Sequence, residues 1–430
     1  MTPCRFSGIA AGLFFNGFLA ISVLDLPKSA CYAVVTGFGL AVSFVGLSLL
    51  GWQINRDIVQ RWLTMFGLFS TILGVSYAVN FDAYEFSLTF KVLGYFTMFA
   101  LSTGMAVLGG WRGFRTCMVT HWGGLWLAMI LTLVVNNVNP HNGRLHGPFK
   151  KHDVQTSGLH ANEVGMLGLT AVLVSIGVGP TAVVATAPAG FYIASLSGCR
   201  GAMIGIVLGL ITYLFAREFI AGSRWRVRNT VPVRGLWLLA GLLVVCVLAG
   251  TTGASAIVDR LLLLSDERRG LSSGFTGRLD QWAGMLEHWQ QNPVFGRGYS
   301  IVREDALSEA NNADGGFLLA TAELGILGLL YFCGLFAGSI RNSLLEVARS
   351  GDAKAVTCLV FMVVFGFTNL FESRIMGTGS IGLGIFFYVS ALCLIVRDRD
   401  LQNADPVPYS SIPDDQDKVQ KNTCRTQVLL

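Results

Sequence analysis

Apolar runs recur along the whole chain, separated by short polar or basic stretches. A helix needs about 17–25 such residues to cross the hydrocarbon core of a bilayer. Runs of this length fall near 7–24, 30–50, 62–80, 88–109, 116–135, 159–178, 181–198, 200–216, 235–254, 316–338, 355–371 and 379–396. The pattern predicts an all-α polytopic membrane protein with about 12 transmembrane helices. The run at 181–198, with Pro188 and several Gly and Ala residues, is the least regular. Only Arg5 precedes the first run as a charged flank, and further spans follow at once, which favours an uncleaved first helix over a signal peptide. The polar stretches divide the chain into N-terminal helices (1–135), an extracytoplasmic loop (136–158), central helices (159–254), a large extracytoplasmic loop (255–315), C-terminal helices (316–396) and a tail (397–430). The tail is polar and Pro-containing with little to bury, and reads as disordered and cytoplasmic.

Charge then orients the spans. Arg217, Arg224, Arg226, Arg228 and Arg234 cluster in one loop, and Arg341, Arg349 and Lys354 mark another. Arg56 with Arg61, Arg112 with Arg115, and Arg397 with Arg399 flank further spans. With twelve crossings and both termini inside, every one of these groups lies in the cytoplasm, as the bias of Lys and Arg toward cytoplasmic loops requires. The loops at 80–87, 136–158, 255–315 and 372–378 are then outside.

Composition agrees. Hydrophobic residues make up 53% and charged residues 13%, with a mean hydropathy of +0.57, whereas soluble domains carry about 25% charged residues. The net charge of +5 sits in short loops and reports orientation, so no nucleic-acid partner is expected. The nine cysteines include no CxxC pair, and Cys31, Cys117, Cys246, Cys333, Cys358 and Cys393 lie in apolar runs as small hydrophobes. His141, His146, His152 and His160 crowd the first long loop, but their spacings of five, six and eight match no helical ligand pair, and no metal is expected. There is no GxxxxGK[ST] loop, and no cofactor is implied.

The candidate chemistry gathers in Thr276–Ser300, TGRLDQWAGMLEHWQQNPVFGRGYS. Thr276 can cap a helix on which Leu279, Trp282, Leu286 and Trp289 recur at a helical period. Asn292-Pro293 ends it, and the Gly296-Arg297-Gly298 turn follows. A helix aromatic on one side and polar on the other suits the membrane–water interface. Arg278 opens this helix, against the preference of helix N-termini for anions, which points to an anionic ligand. Arg200, immediately ahead of an apolar run, is expensive there unless it reaches the interface or a polar cavity. Guanidinium groups hold phosphate oxygens in a bidentate fork, so a diphosphate is the natural candidate.

At this point a family resemblance stands out. GRLDQWAGMLEHWQQNPVFGRGYS followed by DGGFLLATAELGILGLLYF at 314–332 resembles the signature region of the O-antigen ligase and polymerase family of bacterial membrane glycosyltransferases. GLHANEVG at 158–165 resembles that family's Asn-bearing entry to a span. SGCRGAMIG resembles its Ser-Arg-Gly step with Cys199 in place of the Ser, and NLFES at 369–373 resembles its late segment. The resemblance covers about the last two-thirds of the chain. Where the family has His-Asn before the Leu of the helix after the loop, this chain has Asp314-Gly315-Gly316-Phe317-Leu318.

The resemblance implies a donor of undecaprenyl-diphosphate-linked glycan, a glycan acceptor hydroxyl, and a site on the outer face of the bacterial inner membrane, with membrane lipid and polysaccharide assembly or export proteins as further partners. Arg200, Arg278 and Arg297 are the candidate diphosphate ligands. Asp314 is the leading candidate base and Glu372 the second. His160, Asn162, Asp280, Trp282, Asn311 and Asn312 are candidate positioning residues. Polymerisation of repeat units is favoured over ligation to a lipid A-core or other acceptor. The other class of function is a flippase or transporter of the same lipid-linked substrate, and a structural subunit of an export complex is a third. A flippase should distribute intramembrane charge over both halves, whereas the first five spans carry few charges, Lys91 foremost.

Overall fold

The computed structural model describes residues 3–24, 37, 56–84, 86–138, 144–148, 159–220, 274–302, 315–372, 374–376 and 382–396. Its regular elements are α1 (Pro3–Val23), α2 (Arg56–Val79), α3 (Phe86–Val135), α4 (Ala161–Val178), α5 (Pro180–Leu196), α6 (Arg200–Phe215), α7 (Gly274–Gln291), α8 (Gly316–Ser350), α9 (Ala353–Thr368) and α10 (Leu383–Ile395). A 3-10 turn at Phe81–Ala83 and a π turn at Ala216–Ile220 are added to these, and the extended backbone pairs in an isolated bridge between Val138 and Leu145. Among the described residues, six helical stretches are long and apolar enough to cross a membrane: Cys4–Val23, Arg56–Val79, Leu88–Val135, Ala161–Val178, Arg200–Glu218 and Gly316–Ser350. Pro180–Leu196, Ala353–Thr368 and Leu383–Ile395 are shorter apolar helices. The expected spans at 30–50 and 235–254 lie outside the described residues, as do 255–273, 303–314 and the tail.

Among the described residues, two helices are broken, each at a glycine. Helix α3 has 50 residues, a length of about 75 Å if it were straight, far beyond the roughly 30 Å of a hydrocarbon core. Gly110 (φ 51, ψ −162) interrupts it, at the boundary between the apolar runs 88–109 and 116–135. Helix α1 packs along α3 through small residues. A β-carbon on Gly8 would lie 2.3 Å from the Gly113 carbonyl oxygen, and one on Gly12 would lie 2.6 Å from Thr120 Cβ. Close backbone approach of this kind is how helices associate where lipid supplies no hydrophobic contrast. Asn16 Nδ2 donates to the Thr120 carbonyl at 2.9 Å, and its Oδ1 lies 2.7 Å from His121 Nδ1.

Helix α10 sits at the centre. Every residue from Leu383 to Ile395 except Leu394 is buried, as expected of a helix apolar on all sides. Phe386 stacks on Phe336 and Phe365, and Phe387 meets Phe99 edge-on at 4.8 Å.

Helices α8 and α9 form a tight hairpin. Gly351, in the left-handed region, closes α8 through its N–H to the Val347 carbonyl, and Asp352 Oδ1 caps α9 by accepting from Lys354 N–H at 3.0 Å. The second break, Gly325 (φ 70, ψ −168), lies near the start of α8. It leaves carbonyls without their helical donors, and the turn after α7 supplies them. Arg297 N–H donates to the Ala322 carbonyl and Gly298 N–H to the Glu323 carbonyl, both at 2.9 Å, and Ile326 N–H donates back to the Pro293 carbonyl at 2.9 Å. Gly296 (φ 70) and Gly325 face this joint, and a β-carbon on Gly325 would lie 2.1 Å from the Val294 carbonyl oxygen.

Gly325→Ala is therefore expected to destabilise the protein by roughly 2–4 kcal/mol through strain and backbone overlap. Detergent-solubilised yield and monodispersity on size-exclusion chromatography should both fall. Gly334→Ala on the same helix, where no atom lies within 4 Å of the added carbon, should behave as wild type; equal behaviour of the two variants would remove the joint from the account of the fold.

Candidate functional site

The hairpin closes on itself at one end of the bundle. Gly316 N–H, at the start of α8, donates to the carbonyls of Asn369 (2.7 Å) and Glu372 (3.0 Å). Asn369 is buried, and its Oδ1 accepts from Ile375 N–H at 2.8 Å while its Nδ2 donates to the Phe365 carbonyl at 2.6 Å. The segment after α9 is thus folded over the first turn of α8. Three tyrosines clamp its far side. Tyr299 Oη donates to the Met376 carbonyl at 2.9 Å, Tyr95 Oη donates to the Ile375 carbonyl, and the two rings stack at 4.5 Å. Tyr84 Oη donates to the Tyr299 carbonyl at 3.1 Å; burial and the nearby Glu323 carboxylate push the Tyr84 phenol well up, so it remains a hydrogen-bond donor.

This clamped segment carries a buried ion pair. Arg374 Nη2 lies 3.1 Å from Glu372 Oε2, with side chains 8% and 6% exposed. The other carboxylate oxygen, Glu372 Oε1, lies 3.9 Å from where a β-carbon on Gly201 would be, beside the first turn of α6. Cys199, which precedes α6, is buried against Gly165 of α4. Burial, and then the Glu372 charge, push its thiol up to about 11, with Arg374 and Arg144 pulling the other way. Cys199, Glu372, Arg374 and Arg144 therefore share one electrostatic neighbourhood, with Arg200 next to Cys199 in the chain.

The start of α4 joins them. Arg144 Nη2 donates to Asn162 Oδ1 at 2.6 Å, and its Nε donates to the Ser197 carbonyl at 2.5 Å. That tie brings the N-termini of α4 and α6 together. His160 is a helix cap: its Nδ1 accepts from Asn162 N–H at 3.4 Å, and Glu163 Oε2 accepts from the His160 N–H at 2.9 Å. Its ring meets His146 edge-on at 5.2 Å. Among the described residues no group of three or more His, Cys, Asp or Glu is placed to hold a metal.

Helix α7 differs from its sequence reading in two respects. It is already helical at Gly274, so Thr276 lies within the helix rather than at its cap; several polar residues precede it in sequence, and spacing alone does not rank them. Its inner face is centred on Met285, which is buried, while Leu286 is 40% exposed. The apolar period matched either side of the helix, and packing against α8 chose one. Trp282 reaches the site, its Nε1 lying 3.0 Å from a β-carbon placed on Gly315. Trp289 is turned to structure, with Nε1 donating to the Pro293 carbonyl at 2.9 Å. Asp280 is exposed. Arg297 is engaged at the joint, its Nη1 donating to Gln291 Oε1, and no described contact brings it to Arg200 or Glu372.

Arg278 stands on α7 one turn before Trp282, with only its backbone described. Asn311, Asn312 and Asp314 lie outside the described residues, Asp314 directly before Gly315. Of the candidates, Arg200, Glu372, Asn162, His160 and Trp282 are gathered at this end of the bundle. Sequence reading passed over Arg144 and Arg374. The signal for Arg374 was present: an arginine two residues from Glu372, between two apolar runs.

A family model described as O-antigen ligase matches residues 185–333. That stretch is O-antigen ligase-like. It runs from within α5 to within α8 and holds Arg200, Arg278, Asp280, Trp282 and Arg297, together with Asn311, Asn312 and Asp314. The O-antigen ligase-like stretch covers about a third of the chain and does not extend to the segments GLHANEVG and NLFES. No curated protein matches the chain. The site thus combines matched residues (Arg200, Trp282) with residues outside the match (Arg144, Asn162, Glu372, Arg374). Chemically it brings the Arg144 and Arg374 guanidinium groups and the Glu372 carboxylate to the positive ends of the α4, α6 and α8 dipoles, with Arg200 in the first turn of α6, an arrangement suited to an anion beside a proton acceptor.

Cys199 should therefore be protonated and shielded at neutral pH. Mass spectrometry after maleimide treatment at pH 7 is expected to find its peptide unmodified in the folded protein and modified after denaturation. Rapid labelling at pH 7 would contradict the buried position of the α4–α6 junction.

Proposed function

We propose that the protein is a membrane glycosyltransferase that takes an undecaprenyl-diphosphate-linked oligosaccharide as donor and polymerises repeat units of an O-antigen or exopolysaccharide on the outer face of the bacterial inner membrane. The observation that carries the proposal is the placement of Arg200, from the O-antigen ligase-like stretch, at a junction of helix N-termini that also holds a buried carboxylate. The orientation, with both termini cytoplasmic, is supported by the run of arginines and lysines along the alternate loops.

In the proposed reaction an acceptor sugar hydroxyl attacks the anomeric carbon of the donor. The bond from that carbon to the diphosphate oxygen breaks, and the diphosphate leaves on its lipid with the electron pair. Charge develops on the departing oxygens, and Arg200 and Arg278 stabilise it with their guanidinium groups. The acceptor hydroxyl gives its proton to a carboxylate. Asp314, at the entry to α8, is the leading base and Glu372 the second. Asn162 and Trp282 hold sugar or prenyl groups, with the tryptophan face suited to either. His160 and Arg297 serve by shaping the α4 start and the α7–α8 joint. No step calls for a cofactor, because the lipid diphosphate carries the energy.

The second reading is ligation of a finished glycan to a lipid A-core or other acceptor, supported by the description of the matching family. The two reactions share donor chemistry and differ only in the acceptor, so a donor-side variant separates them through what accumulates. Arg278→Ala and Arg200→Ala should each lower polymer output by about 100-fold or more, the scale of losing one transition-state donor, at unchanged protein level in the membrane. In cells whose only copy is Arg278→Ala, single repeat units on outer-face lipid mark a polymerase and long lipid-linked chains mark a ligase. Units trapped on the cytoplasmic face would identify a flippase and end the enzyme reading. Asp314→Asn should cost roughly 100-fold in turnover with little change in donor affinity; near-normal turnover would transfer the role of base to Glu372.

A further inference from the structure

Arg374 lies outside the O-antigen ligase-like stretch, yet it is the most deeply set guanidinium at the site. It is 7% exposed, and its described ion-pair partner is Glu372 at 3.1 Å. A pair this buried is a poor device for stability, because desolvation of two charges offsets most of their attraction. It is a good device for holding a charge ready. The backbone on both sides is fixed by other means: Glu372 by the Gly316 N–H, and Ile375 and Met376 by Asn369, Tyr95 and Tyr299. The ion pair is therefore not what folds this segment, and the Arg374 side chain can change partners while its backbone stays in place.

The charges around it settle which partner would compete. Cys199 and Arg200 stand at the start of α6, Arg144 approaches from the loop before α4, and Glu372 is the carboxylate paired with Arg374, while Glu163 is occupied in the cap of α4. Arg374 is paired with Glu372, Arg144 lies close enough to act on the same Cys199 thiol, and Arg200 follows Cys199 in the chain, so an incoming dianion is favoured by this concentration of cations. Building on the donor assigned above, we propose that Arg374 is a third diphosphate-binding residue, held by Glu372 until the donor arrives. The diphosphate then draws Arg374 from Glu372, and the released carboxylate is left to accept a hydrogen bond or proton from the acceptor hydroxyl. A polar, hydrolysis-prone donor would in this way meet an available second base only once it is bound.

The two halves of the pair give opposite predictions, which a purely structural ion pair does not. Binding of inorganic pyrophosphate to the purified full-length protein in detergent is measured by isothermal titration calorimetry. Glu372→Gln frees Arg374, so affinity should rise by about three- to tenfold; Arg374→Gln removes a charge-assisted contact, so affinity should fall by about tenfold. Arg374→Lys, which keeps the charge, should fall between wild type and Arg374→Gln. Each variant is first checked for a wild-type size-exclusion profile. Both variants shifting affinity in the same direction, neither shifting it, or no pyrophosphate binding by wild type and Glu372→Gln at millimolar concentration would each overturn the proposal. The glycosyltransferase reading stands or falls separately on the lipid-linked glycans of Arg278→Ala cells. Opposite shifts in pyrophosphate affinity alongside glycan trapped on the cytoplasmic face would leave Arg374 an anion-binding residue of a transporter.

Discussion

The structure turns on the satisfaction of backbone hydrogen bonds where α8 breaks. Within a bilayer there is no water to take an orphaned carbonyl, so a broken helix persists only if protein supplies the missing partners. The turn Pro293–Gly298 does this with three backbone bonds to Ala322, Glu323 and Ile326. Once that joint is made, the chain on either side of it is fixed. Helix α7 lies against α8 with Trp282 at the entry of α8, and Tyr299 reaches across to the segment after α9. Ser76 of α2 also donates to the Glu323 carbonyl at 3.0 Å, and Asn80 donates to the Gly296 carbonyl, binding the second helix to the same joint.

From this joint the site is assembled by short-range contacts between chain segments far apart in sequence. The start of α8 holds the Asn369–Glu372 turn through Gly316. That turn presents Glu372 to the start of α6, and Arg144 couples α6 to the start of α4. Each tie is a single hydrogen bond or contact, worth on the order of 1 kcal/mol. Their combined effect is geometric: helix N-termini are set around one place, and the cations and carboxylate at their ends are held where burial strengthens each charge interaction.

Much of this was legible beforehand, and the reason differs by element. The apolar runs appeared as helices wherever they lie in described residues, because length and composition alone decide whether a helix tolerates lipid. The division of α3 at Gly110 could be read from the gap between two runs. The Pro293, Gly296, Gly298, Glu323 and Gly325 positions were visible as a pattern, but their meaning was not. Locally they are a turn after α7 and part of the run at 316–338, and in the structure they are two halves of one joint. Met285 and Leu286 show the same limit on a smaller scale, since a helical period admits more than one inward face. Arg374 was passed over because its place two residues from Glu372, between two apolar runs, marks a charge at the membrane edge but not whether the two side chains meet or are buried.

By itself, then, the sequence determined a helical membrane protein, the places of its apolar runs, and the residue types that carry chemistry, because these depend on hydrophobicity and local spacing. Only the tertiary structure decided which of those residues share a site. It set Glu372 beside the first turn of α6, tied Asn162 to Arg144, turned Trp289 and Arg297 toward the joint, and buried Arg374 beside a carboxylate. Such choices depend on where a few backbone bonds bring distant segments together, and no local property of either segment encodes that distance.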